Sequence, residues 1–317
     1  VHVYRWDLDR TYLDTDIHSV RGLLRSAMET ADEKRTVPGA PALLRGLVDH
    51  DPSARVEILS GSPVQMREVL EQKLQLDGVR FDSLVLKDNL RNLRRGRFRA
   101  IRGQLGYKLP QLLALRLSQP AEARETLFGD DAEVDALVYA LYADIVAGRV
   151  DEAAVAKVLR RGGAYGDQVD HALRSMRRIT RSDAVESIFI HVERGVPLQT
   201  FDRLGSLVIP VFSWFQAALV LTRRRRLGID SVEAVVRASS RAGEHPRAWV
   251  AWATDALRRG LCDEDTLRDV FARTPSLAHL DEILDRSICL LGDWRRPDIS
   301  AEHRDYLGFL ESATTPD

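Results

Sequence analysis

Trp6-Asp-Leu-Asp-Arg-Thr11 is the stretch on which the reading of this chain turns. It closes an apolar run that begins at Val1 and reads as a β-strand through Asp7, then offers two acids two positions apart and a threonine. Strand side chains alternate, so Asp7 and Asp9 would share a face if the strand continued; a bend after Asp7 would instead turn the next carbonyl toward a shared ligand. Two such carboxylates can divide the work of nucleophile and proton carrier. Alone, the pattern equally describes a strand running into a polar turn.

Three later segments repeat the theme of a strand ending in polar residues. Val56-Glu-Ile-Leu-Ser-Gly-Ser-Pro63 ends in small hydroxylated residues ahead of a helix. Ser60 there would hold an anionic oxygen, with Gly61 and the exposed amides of the helix start in support. Ordinary turn chemistry explains the same residues. Gly106-Tyr-Lys-Leu-Pro110 places Lys108 at the start of an amphipathic run, where an ammonium group can neutralise developing charge. Lys87, after the strand Leu84 to Leu86, competes for that role. Leu127-Phe-Gly-Asp-Asp-Ala-Glu-Val-Asp135 is again a strand followed by acids and a helix. Mg²⁺ favours a few hard carboxylate oxygens with water and phosphate, so Asp130 would complete a metal site with Asp7. Asp131 and Asp135 are alternative or outer ligands, and helix capping by Asp131 is the competing explanation.

Around these segments, short apolar runs alternate with helical patterns, the signature of a parallel sheet covered by helices. Strands are expected at Val1 to Asp7, Val56 to Leu59, Ser83 to Leu86, Thr126 to Phe128 and Glu186 to Val192. Helices are expected at Gly39 to Asp49, Val64 to Gln75, Leu109 to Leu117 and Glu133 to Ala147. The fold class is thus α/β, a doubly wound sheet over residues 1–198 with a helical insertion at about 149–181. An all-α domain is expected over 199–317, with helices starting near Asp230, Asp263 and Ser300 and no strand beyond Thr200. Within it, Leu204 to Leu221 carries no charge and leads into Arg223 to Arg226. That run reaches the lower end of the ~17 to 25 residues of a membrane span, but Pro210 and several polar residues favour a buried helix.

With 46 basic and 47 acidic residues the net charge is −1, which excludes a general polyanion-binding surface. Cys262 and Cys289 are too few for a disulfide framework and read as small core residues in a reducing compartment. The first residues show no signal-peptide pattern. Trp214, Trp249, Trp252 and Trp294 read as core or helix-contact residues.

Taken together, the four strand ends, in this order, resemble the haloacid dehalogenase (HAD) superfamily of aspartyl-phosphate phosphatases. The runs Ser60 to Pro63, Ser83 to Asp88, Tyr107-Lys108, Phe128 to Asp135 and Ser187 to Val192 look like its actin-patch phosphatidate phosphatase catalytic-domain branch, over about the first 195 residues. The resemblance implies a HAD-like Rossmannoid sheet and a Mg²⁺-dependent phosphomonoesterase. Asp7 would be the nucleophile, Asp9 the acid and base, and Ser60 and Lys108 the phosphoryl-binding groups. Asp7, Asp9 and Asp130 would hold the metal, with Thr11 and Gly61 supporting. The chain departs from the branch pattern at Arg10, Gly61, Tyr107, Asp131 to Val134 and His191. None of these is Asp7, Asp9, Ser60, Lys108 or Asp130.

Only a short flap, with a helix expected at Ser19 to Glu33, fits between Thr11 and Ser60, so the cap is minimal and the site open to a bulky substrate. The basic segment Arg91 to Arg102, with Arg95 and Arg97, together with Arg10, would grip anionic groups beyond the reacting phosphate. A solvated basic loop is the competing reading. Phe98 is its only aromatic residue, which disfavours a nucleic-acid stacking platform. A lipid phosphate such as phosphatidate leads the expected substrates, ahead of phosphoproteins and nucleic-acid ends, in a cytoplasmic protein able to meet a membrane surface. Two other classes compete: a non-catalytic module that binds phosphorylated partners, and a metal-dependent nuclease.

Overall fold

The structure, a computed structural model, describes residues 1–15, 29–88, 104–132, 134–291 and 304–314. The expected helix over 19–33, the arginine-rich segment 91–102, Trp294 and the helix start at Ser300 fall wholly or largely outside these residues.

A strand buried on both faces leaves no room for polar alternation, and β1 (His2–Trp6) is buried at every position. It lies at the centre of a six-stranded, wholly parallel sheet ordered β3-β2-β1-β4-β5-β6. The other strands are β2 (Arg55–Pro63), β3 (Ser83–Lys87), β4 (Arg124–Asp130), β5 (Val185–His191) and β6 (Val208–Val211). Parallel neighbours require crossovers, and helices supply them. In chain order α1 (Ala40–His50) follows β1, α2 (Arg67–Leu76) follows β2 and α3 (Gln104–Leu117) follows β3. Then α4 (Asp135–Ala147), α5 (Glu152–Arg161) and α6 (Gly166–Met176) lie between β4 and β5, and α7 (Leu198–Asp202) lies between β5 and β6. Asp151 caps α5 by accepting from the Ala154 amide.

Beyond β6 come α8 (Trp214–Arg223), α9 (Ile229–Arg241), α10 (Pro246–Arg258), α11 (Glu264–Arg273), α12 (Asp281–Leu291) and α13 (Tyr306–Thr314). The expectation that no strand follows Thr200 is overturned by β6, which pairs with β5 from Ile188↔Val208 to His191↔Val211. Pro210 has no amide to donate, a loss that an outermost strand tolerates. The uncharged run 204–221 therefore contains a strand, a turn and most of α8, whose Ser213 cap accepts from the Phe215 amide. Among the described residues, no helix is long and apolar enough to cross a membrane.

Two cores flank the sheet. Trp6, Ile58, Phe128 and Phe189 face α1, α2 and α8 to α12, while Leu59, Leu127, Ile188 and Ile190 face α3 to α6 and α13. The first core runs across residue 199 without a break: Trp214 of α8 packs against Trp6 with ring centroids 5.3 Å apart. Helix α9 lies so close to α1 that a Cβ on Gly46 would come within 2.5 Å of Ser231. The boundary expected at 198/199 thus does not divide the hydrophobic interior. Asp263 caps α11 as expected, whereas α9 starts after Gly228, with Asp230 in its first turn. Cys262 is buried, but Cys289 is exposed, against the expectation for both cysteines. Trp214 and Trp249 are buried core residues and Trp252 packs against them.

The sheet end nearest the amino terminus carries a pH-sensitive group. His2 is buried against Thr126, 2.9 Å from its hydroxyl, and burial, helped by the Arg226 charge, lowers its pKa from 6.5 to about 4. The unfolded chain takes up this proton near pH 6.5 and the folded chain only near 4, so stability falls as pH drops through that window and then levels. The contribution is at most ~3 kcal/mol. In urea denaturation at pH 7.5, 5 and 4, His2→Gln is expected to flatten this part of the acid-side decline.

Candidate active site

A doubly wound sheet leaves a crevice at the carboxyl ends of its strands where the strand order reverses. Here that point is β1, flanked by β2 and β4. Asp7 follows β1 directly, and its amide still bonds the Phe128 carbonyl of β4 at 3.0 Å. The chain then closes a tight loop: the amides of Tyr12 and Leu13 both bond the Leu8 carbonyl, at 2.9 and 2.7 Å. Arg10 occupies the left-handed region in this loop, φ 62°, at a cost of about 1 kcal/mol. The Trp214 indole donates to the Thr11 carbonyl at 3.1 Å, so α8 fastens the loop from below.

The loop turns Asp9 toward β2. Its Oδ2 accepts from Ser60 at 3.2 Å and Ser62 at 2.8 Å, and its Oδ1 from Thr15 at 3.2 Å. Two serines two apart can meet one carboxylate here because the β2–β3 register shifts between Leu59 and Pro63, a bulge that re-aims side chains. The Ser62 amide also bonds Ser60 Oγ at 2.9 Å. Sequence reading found Ser60 but not Ser62 or Thr15.

Lys108, fully buried on α3, lies between two carboxylates: its Nζ is 2.8 Å from Asp7 Oδ1 and 2.5 Å from Asp135 Oδ1. Asp130 is held by the Ala132 amide at 2.6 Å and by Thr11 Oγ1 at 3.4 Å. Asp7, Asp130 and Asp135, all buried, each offer an oxygen within 4.8 Å of the others. Hard oxygen donors at this spacing suit a small divalent cation such as Mg²⁺. The cluster differs from the expected ligand set in one member: the Asp9 side chain lies with the serines, and Asp135 takes its place.

Several expected roles are corrected. Asp131 neither joins the cluster nor caps a helix; its carboxylate accepts from the amides of Glu193 and Arg194, at 3.0 and 3.1 Å, and fixes the exit of β5. Arg10 is buried and paired with Glu193 at 2.7 Å rather than extended as an anion-gripping arm. Lys87 sits 5.5 Å from the centre of the Tyr107 ring, whereas Lys108 is the lysine that pairs with Asp7. Arg95 and Arg97 lie outside the described residues. Gly61 lies under Gln104, where a Cβ would approach the amide nitrogen to 2.5 Å.

Two further residues, Lys34 and Gly129, neighbour the site. Lys34 is buried, paired with Glu29 at 3.8 Å; burial lowers its pKa, while the charges of Glu29 and Asp9 oppose that shift. Nothing in its run of mixed charges distinguishes it. Gly129 does leave a signal, as a glycine inside a strand immediately before an acid. A Cβ there would come within 2.7 Å of Asp135 Cβ and 2.8 Å of the Tyr139 ring. Gly129→Ala is therefore expected to push Asp135 and its partner Lys108 out of place. Circular dichroism should show a folded protein, and phosphate release should fall by about 10²-fold, the usual consequence of a 1 Å misplacement.

A family model described as "Phosphatidate phosphatase APP1, catalytic domain" matches residues 6–157. No curated protein and no solved structure matches the chain. The matched segment runs from the end of β1 into α5 and contains every residue of the Asp7, Asp9, Ser60, Lys108, Asp130 and Asp135 constellation. Residues 6–157 of this chain are thus similar to the phosphatidate phosphatase APP1 catalytic domain, a HAD-like family of phosphatases.

Proposed function

We propose that the chain is a Mg²⁺-dependent phosphomonoester hydrolase that works through an aspartyl-phosphate on Asp7, with a lipid phosphate such as phosphatidate as substrate. The observation that carries this reading is the meeting of Asp7, Lys108, Asp130 and Asp135 in one buried cluster beside Asp9 and Ser60, within a segment of a phosphatase family. Mg²⁺ would be held by Asp7 and Asp130, with Asp135 beside them, and when bound would offset the negative charge of the transferred phosphoryl group.

A carboxylate oxygen of Asp7 attacks phosphorus and the bond from phosphorus to the ester oxygen breaks. Asp9, in its protonated form, gives its proton to the departing alkoxide. The second half reverses the roles: Asp9, now a carboxylate, takes a proton from water. The resulting hydroxide attacks phosphorus and the Asp7–phosphorus bond breaks, regenerating the carboxylate and releasing inorganic phosphate. Lys108 holds charge on Asp7 and on the phosphoryl oxygens throughout. Ser60 and Ser62 hold Asp9 in reach of both the leaving oxygen and the water. The lipid preference draws on the family description.

The test is phosphate release by purified protein, with Mg²⁺ or with chelator. The panel is phosphatidate in mixed micelles, an aryl phosphate, a phosphopeptide and a 5′-phosphorylated oligonucleotide. Mg²⁺-dependent release with phosphatidate preferred is the expected result. Preference for the peptide or the oligonucleotide would replace the lipid substrate, and silence across the panel from folded, Mg²⁺-binding protein would favour a phospho-ligand-binding module.

A further inference from the structure

The run Arg223 to Arg226 takes no part in the site above, and the end of α8 spreads its side chains apart. The Arg226 amide bonds the Leu221 carbonyl at 2.8 Å and the Arg225 amide bonds that of Thr222 at 2.9 Å, with Arg225 at φ 57° where such a helix end usually has glycine. Arg223 turns to Asp263, 2.9 Å away. Arg224 and Arg226 turn instead to the start of β5: Arg224 donates to the Glu186 carbonyl at 2.8 Å and to the Ser187 hydroxyl, and Arg226 reaches the Glu186 carboxylate at 2.8 Å.

There they meet Arg124 at the start of β4, Arg149 after α4 and Arg304 ahead of α13, around a cavity of about 640 Å³. This volume lies in the range of small-molecule sites. Two acids, Asp183 and Glu186, share the wall, and Asp144 pairs with Arg149 and Arg304 behind it. Five positive charges against three negative leave an excess of two in one concavity of a chain whose net charge is −1. Arg124, which pairs with Glu186 and the Asp183 carbonyl, and Arg149, which pairs with Asp144 and Asp183, both keep exposed side chains. Guanidinium groups converging on a hollow match phosphate oxygens in charge and in planar, two-pronged geometry.

We propose that this cavity is a second anion site that takes a small molecule carrying clustered phosphate groups. It lies at the amino ends of β4 and β5, while Asp130 closes the carboxyl end of β4. Six steps along that strand span about 20 Å, so the ligand held here is separate from the phosphoryl group that reacts at Asp7.

Tripolyphosphate in metal-free buffer is the probe, followed by calorimetry and by protection of arginines from phenylglyoxal, mapped by mass spectrometry. The expected result is saturable binding that weakens with salt, protection of Arg224 and Arg226, and about tenfold weaker binding in Arg124→Ser/Arg226→Ser. Arg124→Ser alone removes an exposed side chain and is expected to weaken binding about threefold with its melting temperature unchanged. Unaltered affinity in both variants, or protection confined to other arginines, would overturn the proposal. Phosphatidylcholine vesicles with and without a phosphoinositide separate free phosphate from a lipid headgroup. Capture by phosphoinositide vesicles with no uptake of tripolyphosphate would overturn the small-molecule assignment.

Discussion

Asp7→Asn is expected to lower Mg²⁺-dependent phosphate release by at least ~10⁴-fold, since a covalent route has no substitute for its nucleophile. The substitution is nearly isosteric, so folding should survive in a site where Asp7 is buried and its amide bonds the Phe128 carbonyl. Two further measurements tie the loss to the proposed chemistry. Acid quench during turnover of ³²P-labelled substrate should leave label on wild-type protein and none on Asp7→Asn. Asp7→Glu keeps the charge but moves the carboxylate by one methylene, away from Lys108 Nζ at 2.8 Å, and should be nearly as inactive. Substantial activity in Asp7→Glu would instead point to hydrolysis by a metal-activated water, as in a nuclease-like site, and would sink the aspartyl-phosphate mechanism.

How far the sequence could be read follows from what each signal depends on. Five strands and the helices between them were legible because a parallel sheet demands apolar runs of strand length separated by amphipathic helices. β6 was not, because its four residues sit inside 18 uncharged ones and include Pro210, which reads as a helix kink until the strand is known to be outermost. Missing β6 also made the region beyond Thr200 look independent, although Trp214 supports both the sheet and the Thr11 carbonyl.

Within the site, Asp7, Ser60, Lys108 and Asp130 each stand at or near a strand or helix end, where chemistry and position can be inferred together. The partition of the acids could not be inferred. Which carboxylates cluster depends on the reversal of the 8–13 loop and on the β2 bulge, both tertiary features that send Asp9 to Ser60 and Ser62 and leave Asp135 with Lys108. Asp131 shows the same limit from the other side: its two backbone partners on the β5 exit lie more than sixty residues away in sequence.

Lys108→Met is the second change with a large expected effect, and it reads stability and chemistry at once. The methionine fills nearly the same buried volume but removes the ammonium that joins Asp7 and Asp135. Breaking a buried ion pair from one side typically costs about 3–5 kcal/mol, because the remaining charge stays buried. A loss of that size should appear in urea denaturation at pH 7, with phosphate release at least ~10²-fold lower. Mg²⁺ should stabilise Lys108→Met more than it stabilises the wild type, since a cation beside Asp7 and Asp130 would restore part of the missing positive charge. Lys87→Met is the matched control: its ammonium rests on the Tyr107 ring, a contact worth about 0.5–2 kcal/mol, and its activity should stay within a few-fold of wild type. A large loss of activity in Lys87→Met with little change in Lys108→Met would exchange the two lysines' roles and move the phosphoryl-binding position to the end of β3.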